Sequence, residues 1–268
     1  MRLTHILSIA LAAATLSILS PTRAAVIDFE TDPTTAPSAD DYVLATPYPI
    51  GGGSVQCYFD VNANLTYDSG VDGDPIIEQI GADGNDAFTN NLLSLSDTAN
   101  APFAPQLGNF FLRQVSPGPA PAPFIVDYNT SATITALSGE IWDIDGASQA
   151  TELWKVEVLD GANVVLASQF SPLGNSFALD ARPWVFSFSG LPLGVDKLRI
   201  TFQGTKINNI GLAFNNFNPT AVPEPGSIVL MGLGAIALVA IGLRRRRGRP
   251  PTAPLTTLIL QLTSAPIN

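Results

Sequence analysis

Apolar and polar residues alternate with a period of two along much of the middle of the chain. Leu198, Ile200 and Phe202 interleave with Lys197, Arg199 and Thr201. Trp184, Phe186 and Phe188 interleave with Val185, Ser187 and Ser189, and Trp154, Val156 and Val158 with Lys155 and Glu157. Such spacing puts successive side chains on opposite faces of an extended backbone and predicts strands with one buried face. Residues 153–159, Asp160-Gly161 and residues 163–168 read as a hairpin, because Asp-Gly suits a turn that matches strand twist. Further strands are expected at 26–30, 55–61, 109–115, 124–128, 132–137, 140–144 and 209–216. About ten short strands punctuated by Gly, Pro and Asn predict an all-β fold, a two-sheet antiparallel sandwich of jelly-roll type. The segments 26–30 and 209–216 are expected to pair as its first and last strands. Residues 31–53, rich in Pro, Thr, Ala and Gly, read as a loop around one end, and Ser116 to Pro123 as a semi-rigid proline-rich connector inside one domain.

Two apolar runs break the alternation. Met1-Arg2 followed by a largely apolar Leu3–Leu19 and the small residues around Thr22-Arg23-Ala24-Ala25 reads as a secretory signal peptide, so the chain is expected to be exported. Ile228 to Leu243 forms a second run, closed by Arg244, Arg245, Arg246 and Arg247. As a helix, about sixteen residues at ~1.5 Å each reach roughly 24 Å, enough for a thinned bilayer. The arginines would stay on the cytoplasmic side and leave the preceding domain outside.

Immediately before that run stands Val222-Pro223-Glu224-Pro225. A Pro-Glu-Pro motif, a short apolar segment and an arginine cluster, in that order, resemble the PEP-CTERM sorting signal of bacterial exported proteins. The resemblance implies recognition by an exosortase and delivery to the cell surface or an exopolysaccharide matrix, with membrane anchoring before processing. The expected organisation is a signal peptide over 1–25, a β-sandwich ectodomain over 26–218 and a sorting signal over 219–249. Residues 250–268 follow as an atypical tail, since such proteins usually stop soon after the basic cluster.

Charge narrows the partners. All 23 acidic residues fall between Asp28 and Glu224. Between Val26 and Pro225 they face only Arg113, Lys155, Arg182, Lys197, Arg199 and Lys206, a formal charge of −17. Phosphate backbones would be repelled, so nucleic acid is not an expected partner; divalent cations, polysaccharide or cationic partners are. The sole histidine, His5, lies in the signal peptide, which removes Ser-His-Asp and Cys-His catalysis and imidazole ligation of zinc from the exported part. Cys57, the only cysteine, reads as a buried strand residue and offers no disulfide framework.

Several acidic groups are candidate calcium ligands. Asp143-Ile-Asp145-Gly146 would place two carboxylates on one face of a strand, ahead of a glycine turn. Calcium takes six to eight oxygens, so the pair can seed a site but not complete one. Asp72-Gly-Asp74 and Asp83-Gly-Asn-Asp86 offer the same chemistry in loops, and all three patterns equally suit plain turns. The opening Val26–Glu30 and closing Asn209–Phe217 segments also resemble the ends of jelly rolls similar to bacterial carbohydrate-binding modules. That resemblance implies a structural calcium near Asp28, Glu30 and Asn215.

Tyr42, Tyr48 and Tyr67 are candidate sugar-stacking platforms, whereas Trp154 and Trp184 read as core. Glycoside hydrolysis by Glu140, Asp143 or Asp145 is disfavoured, because its two carboxyls must face each other across a cleft. The expected role is therefore non-catalytic: a structural or adhesive surface domain, with a calcium-supported lectin as the alternative.

Overall fold

The computed structural model describes residues 26–50, 52–81, 87–114, 119–146, 150–174, 179–210 and 212–222. Fourteen strands and one short helix are named among them. The strands are β1 (Tyr42–Val43), β2 (Tyr48–Ile50), β3 (Gly53–Phe59), β4 (Ile76–Gln79), β5 (Thr89–Asn90), β6 (Leu95–Ser96) and β7 (Phe110–Arg113). They continue with β8 (Phe124–Thr130), β9 (Thr133–Trp142), β10 (Trp154–Asp160), β11 (Val165–Phe170), β12 (Pro183–Ser189), β13 (Val195–Phe202) and β14 (Ala213–Val222). The helix α1 spans Ala104–Leu107.

Two six-stranded sheets carry the fold, in the orders β1-β4-β7-β14-β9-β12 and β11-β10-β13-β8-β3-β2, and every pairing is antiparallel. The period-two pattern explains why they stack. Val156, Val158, Leu198 and Ile200 from one sheet and Ile141, Phe186, Phe188 and Phe214 from the other enter a single buried cluster. Each such side chain contributes about 1.5–3 kcal/mol when fully withdrawn from water. Cys57 is part of this core, and burial pushes its thiol up to about 12, so it behaves as a small hydrophobe.

The longest pairing, β9 with β14, contains an instructive irregularity. Asn215 pairs with Glu140 and Asn218 with Ser138, so Asn216 and Phe217 together oppose Gly139. Asn216 sits at a φ of 54°. This one-residue bulge turns both Phe214 and Phe217 inward, although an odd spacing in a regular strand would put them on opposite faces. Gly139 is required there, since a Cβ would lie 2.5 Å from Phe186 Cζ and 2.8 Å from Phe217 Cδ1. The backbone of Phe217 instead exchanges two hydrogen bonds with Ile27, at 2.8 and 3.1 Å. The expected pairing of the first and last segments is thus one bridge, not a ladder.

Other expectations shift in similar ways. Residues 132–137 and 140–144 form one strand, β9, that stops at Trp142. The 31–53 stretch contains β1 and β2, and β4 was not anticipated. Asp160-Gly161 does reverse the chain, but through a wider loop: Asp160 Oδ1 accepts the amides of Ala162 and Val164, and Asn163 takes a φ of 62°. The exposed edge of β12 is covered by Gln169 of β11, whose amide both donates to Ser187 O and accepts from Ser187 N. Among the described residues no helix is long and apolar enough to cross a membrane. The signal peptide, the Ile228–Leu243 segment and Arg244–Arg247 lie outside the described residues.

Candidate metal centre

Where β9 ends, the chain turns a corner. Asp143 adopts a φ of 65°, so Asp143 and Asp145 do not share a strand face, as the spacing had suggested. Irregular backbone brings them together instead. Asp143 N donates to Arg182 O at 3.2 Å, and Asp143 Oδ1 accepts Ala181 N at 2.8 Å, which fastens the corner to the turn before β12. That turn supplies a third carboxylate, Asp180. One oxygen from each of Asp143, Asp145 and Asp180 lies within 4.8 Å of the other two, and all three residues are buried.

The surroundings hold this arrangement from four directions. Gly146, at a φ of 66°, packs so closely on Gly174 that a Cβ would meet its carbonyl oxygen at 2.3 Å. Gly174 in turn pairs through two backbone hydrogen bonds with Glu152, which is fully buried. Lys206 Nζ donates to Glu152 Oε1 at 2.7 Å and to Asp145 Oδ1 at 3.2 Å. From the β5–β6 hairpin, Asn91 gives its backbone N–H (3.0 Å) and Nδ2 (2.8 Å) to Asp180 Oδ1, with Nδ2 also 3.3 Å from Asp145 Oδ2. Asn100 Nδ2 then holds Asp180 O at 2.7 Å.

Electrostatics follows from this crowding. Burial, and after it the neighbouring Asp145 carboxylate, hold the Asp143 carboxyl well above the usual range. Asp145 is also raised by burial, against the pull of Lys206. Glu152 is pushed up to about 7 by burial, although Lys206 opposes the rise. Burial works against the Lys206 ammonium, yet its bonds to Glu152 and Asp145 outweigh that and raise its pKa. Oxygen-only donors with excess negative charge fit a hard divalent cation, and three carboxylates leave positions for carbonyls or water.

The remaining candidates behave differently. Asp28, Glu30 and Asn215 do line one surface pocket of about 400 Å³, together with Gln106, Asn109 and Asn216. Glu30 Oε1, however, accepts the amides of Asn109 (2.6 Å) and Phe110 (3.3 Å), and its Oε2 accepts Asn109 Nδ2. Asn215 donates to Leu107 O at 2.6 Å and accepts Asn216 N at 2.8 Å. Asp72 takes the amides of Val61 and Asp68, while Asp74 takes the Tyr67 hydroxyl, so this pair ties a loop. Asp83-Gly-Asn-Asp86 lies outside the described residues. Glu140 is engaged by Gln106 Nε2 and Trp142 Nε1.

The last strand leads into the other functional element. β14 closes on Val222, and the sequence from there is the Pro-Glu-Pro run. Residues 221–247 match the PEP-CTERM protein-sorting motif. The chain carries a PEP-CTERM signal. It is therefore an exported, exosortase-sorted protein of the envelope or extracellular space. The PEP-CTERM match takes in Val222, Pro223, Glu224, Pro225 and the four arginines, of which Pro223 onward lies outside the described residues. No curated protein is matched by the chain.

Asp180, Glu152, Lys206 and Asn91 were not legible as site residues. None stands in a motif; Asn91, Asp180 and Lys206 reach the centre from distant parts of the sequence, and Glu152, although close to Asp145 in sequence, lies outside the Asp-Ile-Asp-Gly pattern.

Proposed function

We propose that this protein is a non-catalytic structural or adhesive component of the cell surface or extracellular matrix, built on a jelly-roll domain that calcium supports. The PEP-CTERM motif carries the location. The strand orders support the jelly-roll reading: β7 to β14 alone run β7-β14-β9-β12 in one sheet and β11-β10-β13-β8 in the other. Counted one to eight, these are 1-8-3-6 and 5-4-7-2, an arrangement of interlocked Greek keys. The earlier strands widen each sheet by two.

The aspartate centre supports the calcium reading, with Asp143, Asp145 and Asp180 as ligands and the ion as a fastener between the β9 corner and the turn before β12. A dedicated lectin ranks lower, because the expected tyrosine platforms are occupied. Tyr48 is buried with its hydroxyl on Thr31 O, Tyr67 is tied to Asp74, and Tyr42 packs against the core.

Replacing Pro223, Glu224 and Pro225 with alanine should retain the protein in the membrane fraction, whereas the unaltered chain reaches the surface or matrix. Equal fractionation of the two would remove the sorting claim. A broad glycan panel with calcium and with chelator tests the lectin; selective, chelator-sensitive binding would promote it over the structural role.

A further inference from the structure

The aspartate centre is flanked by a fourth carboxylate, Glu152, and by a cation that bridges the two, Lys206. Glu152 has no solvent exposure, and its Oε2 is buried without any hydrogen-bond partner. Its other oxygen shares the Lys206 ammonium with Asp145, which puts the orphaned oxygen at the margin of the same cluster. Two carboxylates, Asp145 and Glu152, thus share one lysine, and Asp143 and Asp180 lie beside Asp145. Among the described residues no other Lys or Arg forms an ion pair with any of them.

An orphaned, fully buried carboxylate oxygen is costly, and a single ammonium can neutralise only one of the charges present. A divalent ion satisfies both needs. Lys206 is well placed to yield. It belongs to the irregular segment between β13 and β14, held through its backbone by Lys206 N to Thr151 O, and its neighbour Ile207 is 75% exposed. Its four-carbon stem can therefore swing toward water without moving the backbone.

We propose that calcium enters the site of Asp143, Asp145 and Asp180, with Glu152 at its margin, and that Lys206 is an exchangeable placeholder that calcium displaces. This rests on the reading of calcium as the ion of the domain. The lysine keeps the site assembled before the ion arrives. It also sets the affinity, since calcium must evict an ammonium from two carboxylates. The site then responds to extracellular calcium levels, where a pre-cleared site would saturate at far lower concentration.

Lysine-selective acylation of the full-length chain in detergent, read by peptide mass spectrometry, tests the exchange without any mutation. Labelling of Lys206 should rise about fivefold or more when calcium chloride replaces chelator, against an unchanged Lys155 control, because an ammonium released from two carboxylates into water is both more accessible and more readily deprotonated. Unchanged or reduced Lys206 labelling would overturn the exchange. As a second arm, Lys206→Met should bind calcium roughly tenfold tighter by calorimetry, one competing charge having been removed; equal or weaker binding would contradict the placeholder role. Calcium heat in the parent chain that Asp180→Asn removes, with no change in Lys206 labelling, would leave the calcium reading standing and the exchange refuted. Absence of calcium heat in every form would remove both.

Discussion

The sequence offers several acidic groups as calcium ligands, and the fold treats two of them in opposite ways. At the sheet end, Glu30 spends its oxygens on the amides of Asn109 and Phe110, and Asn215 is used up by Leu107 and Asn216. At the β9 corner, Asp143, Asp145 and Asp180 are buried within reach of one another, with Glu152 and a single lysine beside them. Both groups have ligand chemistry. Only the second has a charge that its protein surroundings leave unbalanced, and unbalanced buried charge is what creates demand for a cation. Residue type marks a candidate; satisfaction of its oxygens decides between candidates.

That contrast can be broken experimentally. Chelation should have the largest effect. Calcium at a hundredfold excess over its dissociation constant stabilises a folded state by about 2.7 kcal/mol, which for a domain of this size corresponds to a loss of roughly 5–10 °C in Tm on adding chelator. Scanning calorimetry of the full-length chain with and without chelator reads this directly.

Asp180→Asn should come next. The amide can still accept from Asn91, so the fold survives, but the calcium-dependent rise in Tm should largely vanish. With chelator present the variant should match or exceed the parent by about 1 kcal/mol, because one buried repulsion has gone. A calcium response equal to the parent's would place the ion elsewhere.

A pH series sharpens the same point. Glu152 and Glu78 are both raised by burial from 4.5 to about 7, despite their cationic partners Lys206 and Arg113. A carboxyl raised on folding lends stability below its unfolded pKa and loses it as pH climbs through the folded value. The chelated protein should therefore lose Tm between about pH 4.5 and 7, and calcium should flatten that part of the slope contributed by Glu152. A Tm that rises steadily over this window in chelator would contradict the burial of these two groups.

The smallest effect is expected at the sheet end. Glu30→Gln should weaken charge-assisted bonds to two backbone amides and cost about 1 kcal/mol. The loss should be the same with calcium as with chelator. A calcium-dependent cost would restore the sheet-end site.

How far these features could be read from sequence depends on how local they are. The cores of β10, β12 and β13 follow from period-two alternation, since burial of one sheet face imposes it directly. The Phe214 and Phe217 pair could not be read that way, because the bulge at Asn216 shifts the phase and depends on Gly139 across the sheet. Short strands such as β1 and β5 carry two residues each and leave no periodic trace. Asp143 and Asp145 were visible because they are neighbours. Asp180 and Lys206 were not, since the bonds of Asp143 to Ala181 and Arg182, and of Thr151 to Thr205 and Lys206, bring their segments in from far along the chain. The sorting motif was fully legible, because it is read as a linear signal.

The most direct test of the central claim is a calorimetric calcium titration of the metal-stripped full-length chain beside its Asp180→Asn and Glu30→Gln variants. Saturable binding in the parent and in Glu30→Gln, lost in Asp180→Asn, is the result predicted here. No calcium heat in the parent, or binding that persists undiminished in Asp180→Asn, would contradict the assignment of the ion to the β9 corner.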